Sequence, residues 1–235
     1  MLNFILNWLD RRFGIKKPHG EFLTRITPDR LSFPYCFGGM AFTAFLISAA
    51  TGLMLSLYYV PSGKEALGSI AQINKRVWLG WLVRGVHKWS ASILIVLITL
   101  HAMRVFISKA YRPPRELNWM AGSLTLFITL ASGFTGYLLP WDQKAYWATT
   151  VGTSMAGTVP YAGGALVKLL RGGRSVSGAT LTRFYSMHTL WLPFMMALVL
   201  WAHFHMIKKQ GLRGAGPNGT SPNGSGNAAG GNGAL

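Results

Sequence analysis

Residues 84–101 read RGVHKWSASILIVLITLH, and residues 183–203 read RFYSMHTLWLPFMMALVLWAH. Each stretch sets two histidines in an apolar run: His87 and His101 are 14 positions apart, His188 and His203 are 15. At about 100° and 1.5 Å per helical residue, 14 positions make four turns less ~40° and 15 make four turns plus ~60°, with rises of roughly 21 and 22 Å. Both helices therefore show two imidazoles on roughly one face at matching heights. If they face each other, the four rings make two axial pairs, one toward each surface of a hydrocarbon core about 30 Å thick. That is the ligand set for two bis-histidine hemes stacked across a membrane. A lone intramembrane histidine is as readily a polar contact between helices; four at matched heights on two helices are not. His205 is 17 positions from His188, about 100° off that face, and is read with His19 as a non-ligand.

The rest of the chain fits a membrane setting. Half of the 235 residues are hydrophobic and 12% are charged, against about 25% charged in soluble domains. Spans are expected at about 33–59, 83–107, 117–141 and 184–207, each long enough to cross a bilayer core. Arg84, Lys88 and Arg104 end the second by snorkelling. The expected fold is all-α, a transmembrane four-helix bundle over 33–210. Residues 1–32 are expected to form a surface segment with an interfacial amphipathic helix, since Leu2, Phe4, Ile5, Trp8 and Leu9 precede charge rather than a cleavage site. Residues 60–83 are a polar connection with an interfacial helix around 70–81. Residues 142–182 read as a long functional loop holding one short helix at 166–170. The Gly- and Asn-rich residues 211–235 cannot bury a core and are expected to be a disordered tail.

The formal charge of +17 would suggest nucleic acid in a polar chain. Here the basic residues lie between apolar runs, so lipid headgroups or acidic cofactor groups are the expected partners and nucleic acid is not. Four spans put both termini on one side, which carries 13 of the 23 Lys and Arg, favouring cytoplasmic termini on the negative side. The single cysteine, Cys36, excludes an intrachain disulfide framework and a Cys-rich metal site.

Two further patterns agree with the histidines. Gly38 and Gly52 are 14 apart on the first span, and Gly122 and Gly136 are 14 apart on the third; glycine lets backbone approach a porphyrin plane closely. Small-residue helix packing explains such spacing equally well when it stands alone. Arg84, Arg183, Arg104 and Lys208 lie three to five positions from His87, His188, His101 and His203, each toward its own membrane face. Heme propionates pair with such cations, and ordinary snorkelling also puts them at span ends.

The stretches 84–101, GFTGYLLPWDQKAYWATTV (133–151), LLRGGRSVSGATLTRFYSMH (169–188) and HFHMIKKQG (203–211) resemble the cytochrome b subunits of quinol–cytochrome c oxidoreductases, most closely the b6 form. The resemblance covers nearly the whole chain except the tail. It implies a low-potential heme on His87 and His188 toward the positive side, and a high-potential heme on His101 and His203 toward the negative side. Electrons would pass between them from quinol oxidation to quinone reduction, coupled to proton translocation. It also implies that Tyr137, Ala148 and Val151 line the quinol-oxidation pocket, and that Cys36 anchors a c-type heme by one thioether bond beside the negative-side heme. Lys208 matches a basic position by that heme or the bound quinone, where Arg would be expected; Lys keeps the charge and loses the bidentate fork.

No Pro-Glu-Trp-Tyr motif occurs. In the resembled family it lies on a later helix pair, so a separate three-helix subunit is expected to supply it, with the family's catalytic glutamate, and this chain is expected to be inactive alone. A Rieske iron–sulfur protein, a c-type cytochrome or plastocyanin as acceptor, and a homodimeric complex are further expectations, in a bacterial plasma membrane rather than a thylakoid. Two rivals explain part of the pattern. A heme b anchor of a dehydrogenase or hydrogenase accounts for the histidines but not for Pro140-Trp141-Asp142-Gln143 or the Cys36–Gly38 context. A heme-free transporter with histidine relays predicts no stoichiometric heme.

Overall fold

Uncharged apolar runs set the frame. The structure, a computed structural model, describes residues Phe33–Gln210, so the expected surface helix in 1–32, His19 and the tail 211–235 lie outside the described residues. A short 3-10 turn, Phe33–Cys36, leads into α1 (Phe37–Ser56); then come α2 (Ala66–Arg76), α3 (Gly80–Ile107), α4 (Glu116–Leu138), α5 (Gln143–Ala156), α6 (Gly163–Arg171) and α7 (Gly178–Ser186). A single π turn, Met187–Trp191, joins α7 to α8 (Leu192–Gln210). The described residues contain no strand. Among the described residues four segments are long and apolar enough to cross a membrane: Phe33–Ser56, Gly80–Ile107, Glu116–Leu138 and Gly178–Lys208. The chain is thus an all-α four-span bundle.

Helix ends follow local chemistry. α3 begins at Gly80, three residues before the expected 83, after a left-handed Leu79 at φ 54°. A Cβ on Gly80 would run into the Ile73 carbonyl, so only glycine lets α3 start tight against α2. α4 stops at Leu138 rather than 141, because Pro140 lacks a donor to continue it and Trp141 turns the chain at φ 53°.

The clearest departure from expectation lies in 142–182, which is three successive helices and short turns rather than a loop with one helix. Asp142 caps α5, its carboxylate accepting the Ala145 N–H at 2.8 Å. The buried face of α5 is Ala145, Thr149 and Thr153, spaced i, i+4, i+8 on one side of a helix. Threonine hides this pattern from a hydropathy reading; the Thr153 hydroxyl is satisfied internally, donating to the Thr149 carbonyl at 2.7 Å, while the Thr149 hydroxyl is buried without a partner. Removing the cap with Asp142→Ala should cost about 1 kcal/mol and Asp142→Asn a few tenths at most, to be read as the shift in thermal unfolding of the purified protein.

The bundle is built of two helix pairs. α1 runs along α3 and α4 along α8, while α3 and α8, which carry His87, His101 and His203, barely touch each other. Ala41 and Ala44 of α1 pack on Leu94, Leu97 and Ile98 of α3, small against large. A second cluster, Ala66, Leu138, Ala145, Leu181 and Phe184, ties α2, the end of α4, α5 and α7 into a layer over one end of the bundle. There Tyr59 donates to the Leu139 carbonyl at 2.7 Å and stacks on Tyr185.

Candidate functional site

The four histidines of α3 and of the π turn and α8 meet the four glycines of α1 and α4 one to one. A Cβ placed on Gly52 would lie 3.0 Å from His87 Cε1, and one on Gly136 2.6 Å from His188 Cε1. At the other end, a Cβ on Gly38 would lie 3.0 Å from His101 Cε1, and one on Gly122 3.3 Å from His203 Cε1. All four contacts are tighter than ordinary van der Waals spacing. Each glycine thus gives one imidazole room against the neighbouring helix of its own pair. Gly39 has nothing within 4 Å of its Cβ position, so proximity in sequence does not produce these contacts.

Hydrogen bonds fix the rings. Nδ1 of His188 lies 2.9 Å from the Ser132 carbonyl, Nδ1 of His203 3.2 Å from that of Asn118, and Nδ1 of His87 3.0 Å from that of Ser48. A carbonyl only accepts, so each Nδ1 carries the proton and each Nε2 is left as a lone-pair donor. His87 and His188 have ring centroids 6.1 Å apart with planes at 84°. A first-row metal bonds imidazole nitrogen at about 2 Å, so a separation of roughly 6 Å between centroids suits one metal ion between two rings. Among the described residues no three His, Cys, Asp or Glu side chains cluster as a metal site. Two nitrogens per site suit a metal whose other ligands come with it, as the iron of a porphyrin does. The buried Nδ1 of His101 has no hydrogen-bond partner.

The π turn explains why the spacings differ. His188 sits in it, and the Leu192 N–H reaches back to the Met187 carbonyl, five residues away. Pro193 cannot donate to the carbonyl four residues before it, and the widened turn just ahead takes up one residue. Fifteen positions therefore cover the ground of 14, and His188 and His203 come to matched heights with His87 and His101. His205 is exposed and stacks on Trp201, with centroids 5.8 Å apart.

The cations are not equivalent. The Arg104 guanidinium lies 3.7 Å above the Tyr35 ring, next to Cys36, whose thiol is exposed. Arg84 is half-buried and Lys208 exposed. Arg183 Nη1 donates to the carbonyls of Lys168 at 3.2 Å and Leu169 at 2.6 Å, closing the end of α6 and packing over Gly172. Tyr137, Ala148 and Val151 are all exposed.

A further residue escaped the sequence reading. Arg171 is 8% exposed. Its guanidinium donates to Thr153 Oγ1 at 2.7 Å, Ser154 Oγ at 2.8 Å, the Thr150 carbonyl at 2.9 Å and the Arg174 carbonyl at 3.2 Å, while its own carbonyl accepts from Thr180. This buried charge is satisfied by neutral oxygens and clamps α5 to the start of α7. The signal was weak: Arg171 stands among glycines and other basic residues that read as a solvated loop.

An α-helical membrane bundle with two imidazole pairs, each set between glycines, has the ligand arrangement of a membrane cytochrome. The profile of the family described as cytochrome b/b6/petB matches residues 22–211. Cytochrome b6 of Synechococcus elongatus is 42% identical over 213 residues, covering 91% of this chain and 99% of that one. Cytochrome b6 of Cyanidium caldarium is 43% identical over 208 residues, covering 88% and 97%. Among solved structures, a chain of a hyperthermophilic respiratory complex III superposes with a TM-score of 0.82 at 29% identity; the match covers 94% of this chain and 59% of that one. The chain therefore belongs to the cytochrome b/b6 family, the membrane-embedded cytochrome b subunits of quinol oxidoreductases. Membership implies b hemes, electron transport as part of a bc1- or b6f-type complex, and an integral membrane location. It does not favour a dehydrogenase anchor or a heme-free transporter.

Proposed function

We propose that His87 with His188 and His101 with His203 hold one b heme each, and that the chain carries electrons between them from a quinol-oxidation site to a quinone-reduction site, coupled to proton translocation. The observation that carries this reading is the one-to-one meeting of four histidines with four glycines. The hemes supply two one-electron carriers in series across the membrane. The chain's own part is to present the ligands and hold them still. The carbonyls of Ser48, Ser132 and Asn118 orient three of the rings so that Nε2 faces the metal. Glycine at positions 38, 52, 122 and 136 keeps Cβ atoms out of the space the rings and the porphyrin edge need. Arg84, Arg104 and Lys208 pair with propionates at the two surfaces. Arg183 has Nη1 committed to α6 and contributes through its remaining donors.

Tyr137, Ala148 and Val151 form an exposed wall of the quinol-oxidation pocket, held from behind by the Arg171 clamp. A separate three-helix subunit completes that pocket and brings its acid–base groups, so this chain does not turn over alone. A Rieske iron–sulfur protein and a c-type cytochrome accept the other electron, and the complex is a homodimer in a bacterial plasma membrane with the termini of this chain on the negative side. Cys36 attaches a c-type heme covalently beside the His101 and His203 pair; its exposure, next in sequence to Tyr35, whose ring Arg104 covers, supports this.

The test is a pyridine hemochrome spectrum of the purified complex, then acid–acetone extraction and heme staining of the denatured chain. Two extractable b hemes per chain are expected, with one further heme that stays bound and is lost in Cys36→Ala. Two extractable hemes alone would retire the covalent heme, and a folded chain with none would overturn the reading.

A further inference from the structure

The four imidazoles differ in what their Nδ1 atoms meet. His188 and His203 each have one carbonyl acceptor, and His101 has none. His87 has two acceptors: the Ser48 carbonyl at 3.0 Å and Thr51 Oγ1 at 3.1 Å. The direction of the second bond follows by elimination. The Ser48 carbonyl can only accept, so Nδ1 of His87 carries the hydrogen. The Thr51 hydroxyl has a single hydrogen, and the Ile47 carbonyl lies 2.6 Å from its oxygen. Thr51 therefore donates to Ile47 and accepts from His87.

The geometry is locked from the α3 side as well. The Ser90 hydroxyl donates to the His87 carbonyl at 3.1 Å, which leaves its oxygen to accept from Ser48 Oγ at 2.7 Å. Ser48 and Thr51 thus fix α1 to the turn of α3 that carries His87, and Gly52 lets the ring come in against them.

We propose that Thr51 is a positioning residue that lowers the reduction potential at the His87 and His188 site by polarising the His87 ring. An acceptor on Nδ1–H raises the basicity of Nε2, and a more strongly donating axial ligand stabilises the oxidised metal. With three acceptors on one pair and one on the other, hydrogen bonding distinguishes the two sites. The inference rests on the heme reading above.

The experiment is a potentiometric titration of the b-type absorbance in the intact complex, with the His87 and His188 component assigned as the one missing in His188→Ala. Thr51→Val should raise the midpoint potential of that component and leave the other where it was, while Thr51→Ser, which keeps the oxygen, should match the unaltered protein. Should Thr51→Val fail to assemble, Thr51→Ala makes the same comparison. No shift in the oxygen-less variant, an equal shift with Ser, or an equal movement of both components would overturn the role of Thr51. A preparation of the unaltered complex without two b-type components would overturn the heme reading itself.

Discussion

Complexes carrying His203→Ala should lose half of the b-type absorbance in a reduced-minus-oxidised spectrum, whereas His205→Ala should lose none. Only two residues separate these histidines, but the helix turns them to different surroundings. His203 points its Cε1 at Gly122 and has its Nδ1 held by the Asn118 carbonyl of α4. His205 is exposed and lies flat against Trp201 one turn earlier on its own helix. An axial ligand cannot be replaced by an alanine methyl, so the loss at one site should be complete. The retained component should be the one that disappears in His87→Ala. Equal losses from His203→Ala and His205→Ala would undo the ligand assignment.

A second large effect is expected from single methyl groups. Alanine at Gly136 would bring its Cβ to 2.6 Å from the His188 ring, at Gly38 or Gly52 to 3.0 Å from His101 or His87, and at Gly122 to 3.3 Å from His203. Overlap rises steeply at such distances, and three of these rings, those of His87, His188 and His203, cannot swing without breaking a hydrogen bond, whereas His101 has no such tether. Heme content per chain should therefore fall in the order Gly136→Ala, then Gly38→Ala and Gly52→Ala, then Gly122→Ala. Each substitution should affect only the pair it touches. Gly39→Ala, with open space around it, should retain both components. A flat series would mean that the glycines serve helix packing in general.

Much of this was legible in the sequence because a membrane span is written in the longest unbroken patterns a chain has. The four spans announce themselves by the absence of charge, and the 14-residue intervals of His87 to His101, Gly38 to Gly52 and Gly122 to Gly136 carry height and face together. What could not be read has definite causes. The intervals of 14 and 15 already read as roughly one face and height, but the π turn ahead of Pro193 that takes up the extra residue did not show, because a hydropathy pattern does not report which carbonyl a helix reaches back to. α5 was hidden because its buried face is threonine, and Arg171 because a buried arginine and a surface one share the same letter. The hydrogen bond from His87 to Thr51 depends on how α1 lies against α3, a relation between segments 36 positions apart.

The division of the bundle into an α1/α3 pair and an α4/α8 pair also bears on how such a chain comes into being. Helix pairs that pack well within themselves and little across the gap between α3 and α8 gain a further tie from whatever bridges that gap, beside the Phe42–Phe204 ring contact and the end layer that already join them. A ligand bound only by the assembled form stabilises it by about 1.4 kcal/mol for each tenfold excess over its dissociation constant. If heme is that bridge, cofactor supply becomes a quality control on biogenesis: chains inserted faster than they are loaded should be the ones open to membrane proteases, and the steady amount of the protein should follow heme delivery.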